Sequence, residues 1–117
     1  MKRRLSIIFA LIALLTSGLL SSVIAADVTK PFIIDVRTEE EWNNGHIEGA
    51  ILIPYEQIGG KIGTIANDKL QKIYVYCRTG RRSTIAKETL DKLRYKDVVN
   101  LGPLEDAAKV LKLKIVK

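Results

Sequence analysis

Ile73-Tyr74-Val75-Tyr76-Cys77-Arg78-Thr79-Gly80-Arg81-Arg82-Ser83 is the stretch on which the reading of the fold turns. Its first four residues are β-branched or aromatic and predict a short buried strand. At Cys77 the pattern breaks into a turn that holds Gly80 and runs to Arg82. From Ser83 to Leu93 the apolar residues Ile85, Ala86, Leu90 and Leu93 share one helical face. The stretch therefore reads strand, turn, helix. Ligands in parallel α/β sheets sit beyond the carboxyl ends of the strands, and Cys77 stands at such an end.

The flanks repeat the pattern. Toward the C-terminus, Val98-Val99-Asn100 predicts a strand and Leu104 to Leu111 a last helix. Toward the N-terminus, Phe32-Ile33-Ile34-Asp35-Val36 predicts a strand, and Thr38 caps a helix begun by Glu39-Glu40-Glu41-Trp42. Asn43-Asn44-Gly45 stops that helix, and Trp42 is expected in the core. Ile51-Leu52-Ile53 is another strand, ended by Pro54. Between Tyr55 and Ala66, Ile58, Ile62 and Ile65 have helical spacing, weakened by Gly59, Gly60 and Gly63. Strands alternating with helices imply an α/β domain, with a central parallel sheet of four to five short strands and helices on both faces.

The first residues are of another kind. Met1-Lys2-Arg3-Arg4 is basic, Leu5 to Leu20 carries no charge, and small residues lead to Ala25-Ala26 before the first acid, Asp27. That is the order of a secretory signal peptide. The expected organisation is a leader at 1–26, cleaved after Ala25 or Ala26, and one domain at 27–117. An uncleaved membrane anchor is the alternative, since about 20 apolar residues span a bilayer. A periplasmic location follows from cleavage, with no stable membrane association afterwards.

Removing the leader leaves 16 Lys and Arg against 13 Asp and Glu, a net charge of +3. That mild balance is not the footprint of a nucleic-acid binder. Lys109, Lys112, Lys114 and Lys117 form a basic tail, read as a solvated helix face. The small domain has no extra interface segment, so a monomer is expected. Its single cysteine excludes an intramolecular disulfide, leaving Cys77 as a buried filler or a working thiol.

The surroundings of Cys77 favour the working thiol. A thiol reacts as its thiolate, and positive potential lowers its pKa from about 8.5. Arg78, Arg81 and Arg82 lie within five residues, and the turn feeds a helix N-terminus whose unpaired amides favour an anion. Gly80 permits a turn that a residue with a Cβ resists. A cradle of amides around an anionic sulfur would also hold an oxyanion such as thiosulfate.

Cys77-Arg78-Thr79-Gly80-Arg81-Arg82-Ser83 resembles the active-site loop of the rhodanese sulfurtransferases, Cys-x-x-Gly-x-Arg-Ser. Asp35-Val36-Arg37 with Glu41-Trp42, then Gly45-His46-Ile47-Glu48-Gly49-Ala50 and Ile53-Pro54, resembles the N-terminal signature of that family. Size and leader are most similar to its single-domain periplasmic thiosulfate sulfurtransferases, the phage-shock-protein-E type. One departure stands in Asn100-Leu101-Gly102-Pro103-Leu104, where Pro103 replaces a second glycine and no Trp follows. Proline lacks an N–H and fixes φ, which bears on the rim of the site and on substrate preference.

The resemblance implies a rhodanese-like fold and transfer of sulfane sulfur through a Cys77 persulfide, from thiosulfate or a similar donor to cyanide or a thiol. It implies neither metal nor organic cofactor. It makes Cys77 the catalytic residue. Amides of Arg78, Thr79, Gly80, Arg81 and Arg82 would surround the anionic sulfur, with the Arg78 and Arg81 side chains receiving the sulfonate and Arg82 bracing the loop. Asp35, Arg37 and Ser83 are supporting residues. Asp35 and Arg37, with Glu41 four positions on, form either a brace for the loop or an ordinary ion pair orienting the first helix. His46 is expected to be structural. Two other functions compete: a non-catalytic persulfide carrier, and a phosphatase on the same fold. The phosphatases use Cys-x5-Arg, whereas Cys77 to Arg82 is the tighter Cys-x4-Arg.

Overall fold

β4 (Ile73–Cys77) runs through the interior of a four-stranded sheet in the order β3-β1-β4-β5, where β1 is Phe32–Asp35, β3 Ile51–Leu52 and β5 Val98–Pro103. All the pairings are parallel. The computed structural model describes residues 30–117, so the leader expected at 1–26 lies outside the described residues. The fold is α/β, as the alternating pattern predicts.

A strand covered on both faces needs apolar side chains on both, and β4 supplies them. Val75 and Cys77 point to the side where Ile34, Val36, Ile58, Ile62, Ala86 and Leu90 pack. The last four of these belong to α2 (Ile58–Ile65) and α3 (Arg81–Lys92). Tyr76 points the other way and packs with Ile47 and with Ala107 of α4 (Leu104–Leu111). Its hydroxyl accepts the Ile47 amide at 3.1 Å. Helices thus cover both faces.

α1 (Glu39–Asn43) opens on a complete capping box: the Thr38 hydroxyl accepts the Glu41 amide at 3.2 Å, and Glu41 accepts the Thr38 amide at 3.2 Å. The helix ends where Asn44 and Gly45 follow, Gly45 at φ +143.

Four expectations are corrected. α3 starts at Arg81 rather than Ser83, because Gly80 takes the N-cap position at φ +102 and places Arg81 and Arg82 in the first turn. β5 runs on to Pro103, past an irregularity at which Val75 pairs with Asn100 and Tyr76 with Gly102. Asn100 holds this bend by accepting the Gly102 amide at 3.0 Å through its side-chain oxygen. Trp42 is only half buried and stacks on His46, with ring centroids 3.5 Å apart. The basic tail is not one helix face: Lys109 lies in α4, Lys112 follows it at φ +55, and Lys114 and Lys117 flank β6 (Ile115–Val116). β6 pairs antiparallel with β2 (His46–Ile47), a pairing between distant residues that local pattern did not announce.

Candidate active site

The carboxyl end of β4, the loop Arg78 to Gly80 and the first turn of α3 enclose the Cys77 sulfur, which is fully buried. The Gly80 amide donates to Sγ at 2.9 Å. The loop can aim that amide inward because Gly80 adopts φ +102 and ψ −17, a left-handed conformation that side-chain-bearing residues resist. Ser83, also fully buried, has its hydroxyl 3.4 Å from Sγ and donates to the Gly80 carbonyl at 3.0 Å. As a thiol, Cys77 donates to the Ser83 hydroxyl oxygen; as a thiolate, it would accept from that hydroxyl once the hydroxyl rotates.

Burial pushes the Cys77 thiol up. The Ser83 hydroxyl and the backbone amides of Ser83, Gly80 and Thr79 more than offset this, so its pKa lies below that of an ordinary thiol. Thr79 therefore bears on the sulfur through its backbone, its side chain being exposed.

The three arginines part company. Arg82 forms a bidentate pair with Glu41, Nη1 to Oε1 at 2.6 Å and Nη2 to Oε2 at 2.9 Å. Such fork-to-fork pairs are the strong and geometrically specific ones. The Arg82 guanidinium, opposed by burial and aided by the Thr38 contacts, holds the Glu41 carboxyl well below its usual 4.5, at about 2. Arg78 and Arg81 are exposed, and neither side chain forms an ion pair or hydrogen bond with another described residue.

Asp35 and Arg37 make a separate, buried unit. The Arg37 guanidinium donates to both Asp35 oxygens, Nη2 reaching Oδ2 at 2.7 Å, and also to the Gly45 carbonyl at 2.6 Å. Burial pulls the Arg37 pKa down, but the Asp35 carboxylate outweighs it and the net direction is up. This unit ties β1 to the end of α1. Glu41 pairs with Arg82 rather than with Arg37 and so joins α1 to the first turn of α3. His46 faces Trp42, its Nδ1 3.0 Å from the Trp42 carbonyl oxygen.

Glu41, read from the sequence with Asp35 and Arg37 as a brace or an ordinary ion pair, pairs instead with Arg82, a partner that the sequence reading missed. Asn100 was missed as well. Its side-chain amide donates to the Thr84 hydroxyl at 3.1 Å, and that hydroxyl donates to the Gly80 carbonyl at 2.8 Å. The bend in β5 is thereby fastened to the loop. Pro103 pairs with Cys77 in the ladder and precedes α4 at φ −65.

A cavity of about 300 Å³ adjoins the loop, walled by Arg37, Glu41, Gly45, Arg78, Leu104 and Glu105. Cys77 is not in its wall, but Arg78, the residue that follows it, is.

The chain is similar to known proteins. The chain matches the rhodanese-like domain family over residues 19–102. It is 43% identical over 75 residues to the thiosulfate sulfurtransferase PspE of Escherichia coli, an alignment covering 64% of this chain and 72% of that protein. It is 35% identical over 71 residues to the putative sulfur carrier protein YrkF of Bacillus subtilis, covering 61% of this chain and 37% of the relative. Among solved structures, a rhodanese with anions from E. coli superposes with a TM-score of 0.69 at 39% identity, over 75% of this chain and 99% of that one. With the cysteine loop, the four-stranded parallel sheet and the family match all falling on the same residues, the chain belongs to the rhodanese-like domain family.

Proposed function

We propose that the protein is a thiosulfate sulfurtransferase working through a persulfide on Cys77. The observation that carries this reading is the Gly80 amide 2.9 Å from a buried Sγ whose pKa is lowered. An amide-lined sulfur suits an anion held without a counter-charged side chain in contact. Similarity to PspE and to an E. coli rhodanese described with anions supports the same chemistry.

In the first step the Cys77 thiolate attacks the outer sulfur of thiosulfate. The S–S bond of thiosulfate breaks, its electron pair leaves with sulfite, and Cys77 becomes a persulfide. In the second step cyanide or a thiolate attacks the outer persulfide sulfur, and Cys77 departs as a thiolate, giving ping-pong kinetics. Arg78 and Arg81, uncommitted in the fold, receive the sulfonate, while Arg82 holds the loop against Glu41. The leader 1–26 would place this activity in the periplasm, with the domain acting as a monomer. Among the described residues no helix is long and apolar enough to cross a membrane.

The fixed Arg82–Glu41 pair disfavours the phosphatase reading, which needs the loop arginine for phosphate. The likeness to YrkF keeps a carrier role in view. Treatment with thiosulfate should add one sulfur to Cys77 by mass spectrometry, and Cys77→Ser should gain none. Thiocyanate formed from thiosulfate and cyanide over many turnovers identifies an enzyme, and a single stoichiometric discharge a carrier. No sulfur gain at Cys77 would sink both.

A further inference from the structure

The cavity beside the loop is larger than the proposed donor requires. About 300 Å³ corresponds to roughly ten water volumes, whereas thiosulfate has few atoms and cyanide fewer. Its wall is also not simply cationic, as a site for anions alone would be. It carries two arginines and two glutamates. Arg37 is already neutralised by Asp35, and Glu41 by Arg82. That leaves Arg78 and Glu105 as opposite charges with no ion pair or hydrogen bond to another described residue. Both are exposed. They come from different elements, the loop after β4 and the first turn of α4, and apolar Leu104 shares the wall with them. A space bounded by one free cation and one free anion suits a molecule bearing both an anionic and a cationic group.

We infer that this cavity receives the sulfur acceptor, and that the acceptor is a zwitterionic amino-acid thiol whose carboxylate meets Arg78 and whose ammonium meets Glu105. The inference rests on the proposed persulfide. In the step it serves, the acceptor loses its thiol proton to solvent and its thiolate attacks the outer sulfur of the Cys77 persulfide. A new S–S bond forms, the Cys77 S–S bond breaks, and the electron pair returns to Cys77 as thiolate. No oxidant or reductant is consumed. Arg78 serves both half-reactions in turn, holding the sulfonate of the donor first and the carboxylate of the acceptor second. Glu105 serves the second alone and sets acceptor specificity.

The test loads the full chain with thiosulfate, verifies one added sulfur by mass, and follows discharge by four thiols at equal thiolate concentration. Cysteine carries both charges, cysteamine the cation, 3-mercaptopropionate the anion and 2-mercaptoethanol neither. Cysteine should discharge fastest. Glu105→Gln should lower the cysteine-to-mercaptopropionate rate ratio about three- to fivefold, the range of an exposed charge contact. Glu105→Lys should lower it further and favour mercaptopropionate. A merely structural role for Glu105 would slow all four thiols by one factor, and that result, or equal rates in the unaltered protein, would overturn the inference. A failure to load from thiosulfate would instead count against the proposed donor. The same comparison on chains loaded with inorganic polysulfide would then still read the acceptor preference, and a chain that takes sulfur from neither refutes both.

Discussion

Replacing Glu41 by Gln should destabilise the domain in a pH-dependent way, because one carboxylate joins the cap of α1 to the first turn of α3. It accepts from the Thr38 amide at 3.2 Å, the Thr38 hydroxyl at 3.0 Å and both Arg82 Nη atoms at 2.6 and 2.9 Å. Its pKa falls from 4.5 to about 2, and taken alone such a drop corresponds to roughly 3 kcal/mol. The side chains of Arg82 and Glu41 retain 21% and 23% of their exposure, so solvent screening reduces this to about 1–2 kcal/mol. For a domain of this size that is a Tm lower by about 5–10 °C at pH 7. The folded carboxyl titrates below the unfolded one, so the stabilisation is complete above pH 4.5 and is lost as pH falls toward 2. Thermal unfolding followed by circular dichroism from pH 7 down to pH 3 measures the gap between the two proteins. It should narrow steadily below pH 4.5. A gap that is constant with pH, or absent at pH 7, refutes the claim that the ion pair is what Glu41 contributes. Arg82→Met should cost about as much, and the double variant little more.

Other perturbations probe the sulfur and the buried charges. Ser83→Ala removes a hydroxyl that lowers the Cys77 pKa, so the pH profile of iodoacetamide alkylation should shift to higher pH, and an unmoved profile would deny Ser83 that role. Gly80→Ala forces a side chain into φ +102; it should cost about 1–2 kcal/mol, read by urea unfolding, and should raise the thiol pKa as the 2.9 Å amide contact loosens. Arg37→Met leaves the fully buried Asp35 carboxylate without its partner and should cost about 3–5 kcal/mol. Asp35→Asn with Arg37→Met together should be milder than Arg37→Met alone, and the opposite order would show that the pair is not the relevant unit.

Much of the fold was legible because its elements are locally encoded. β-branched runs gave β1, β3 and β4, the Thr38 cap with the acids that follow it gave α1, and Leu104 to Leu111 marked α4 residue for residue. Boundaries failed where backbone geometry rather than pattern decides. Gly80 reads as a turn residue, yet at φ +102 it is the last residue before a helix. Ile115 and Val116 form β6 only because His46 and Ile47, far away in sequence, offer an edge.

The sequence by itself determined the parallel α/β order, the single thiol and the basic glycine loop around it, because strand and helix periods and a lone cysteine depend only on neighbours along the chain. Tertiary structure decided the division of labour among charges. Arg37 could have paired with Glu41 four residues on, but β1 places Asp35 against its guanidinium, and Glu41 reaches Arg82 across the site. Charged groups choose partners by distance and burial, and both are set only when the sheet brings remote segments together. For the same reason the cavity walled by Arg78, Leu104 and Glu105 exists only in the folded chain.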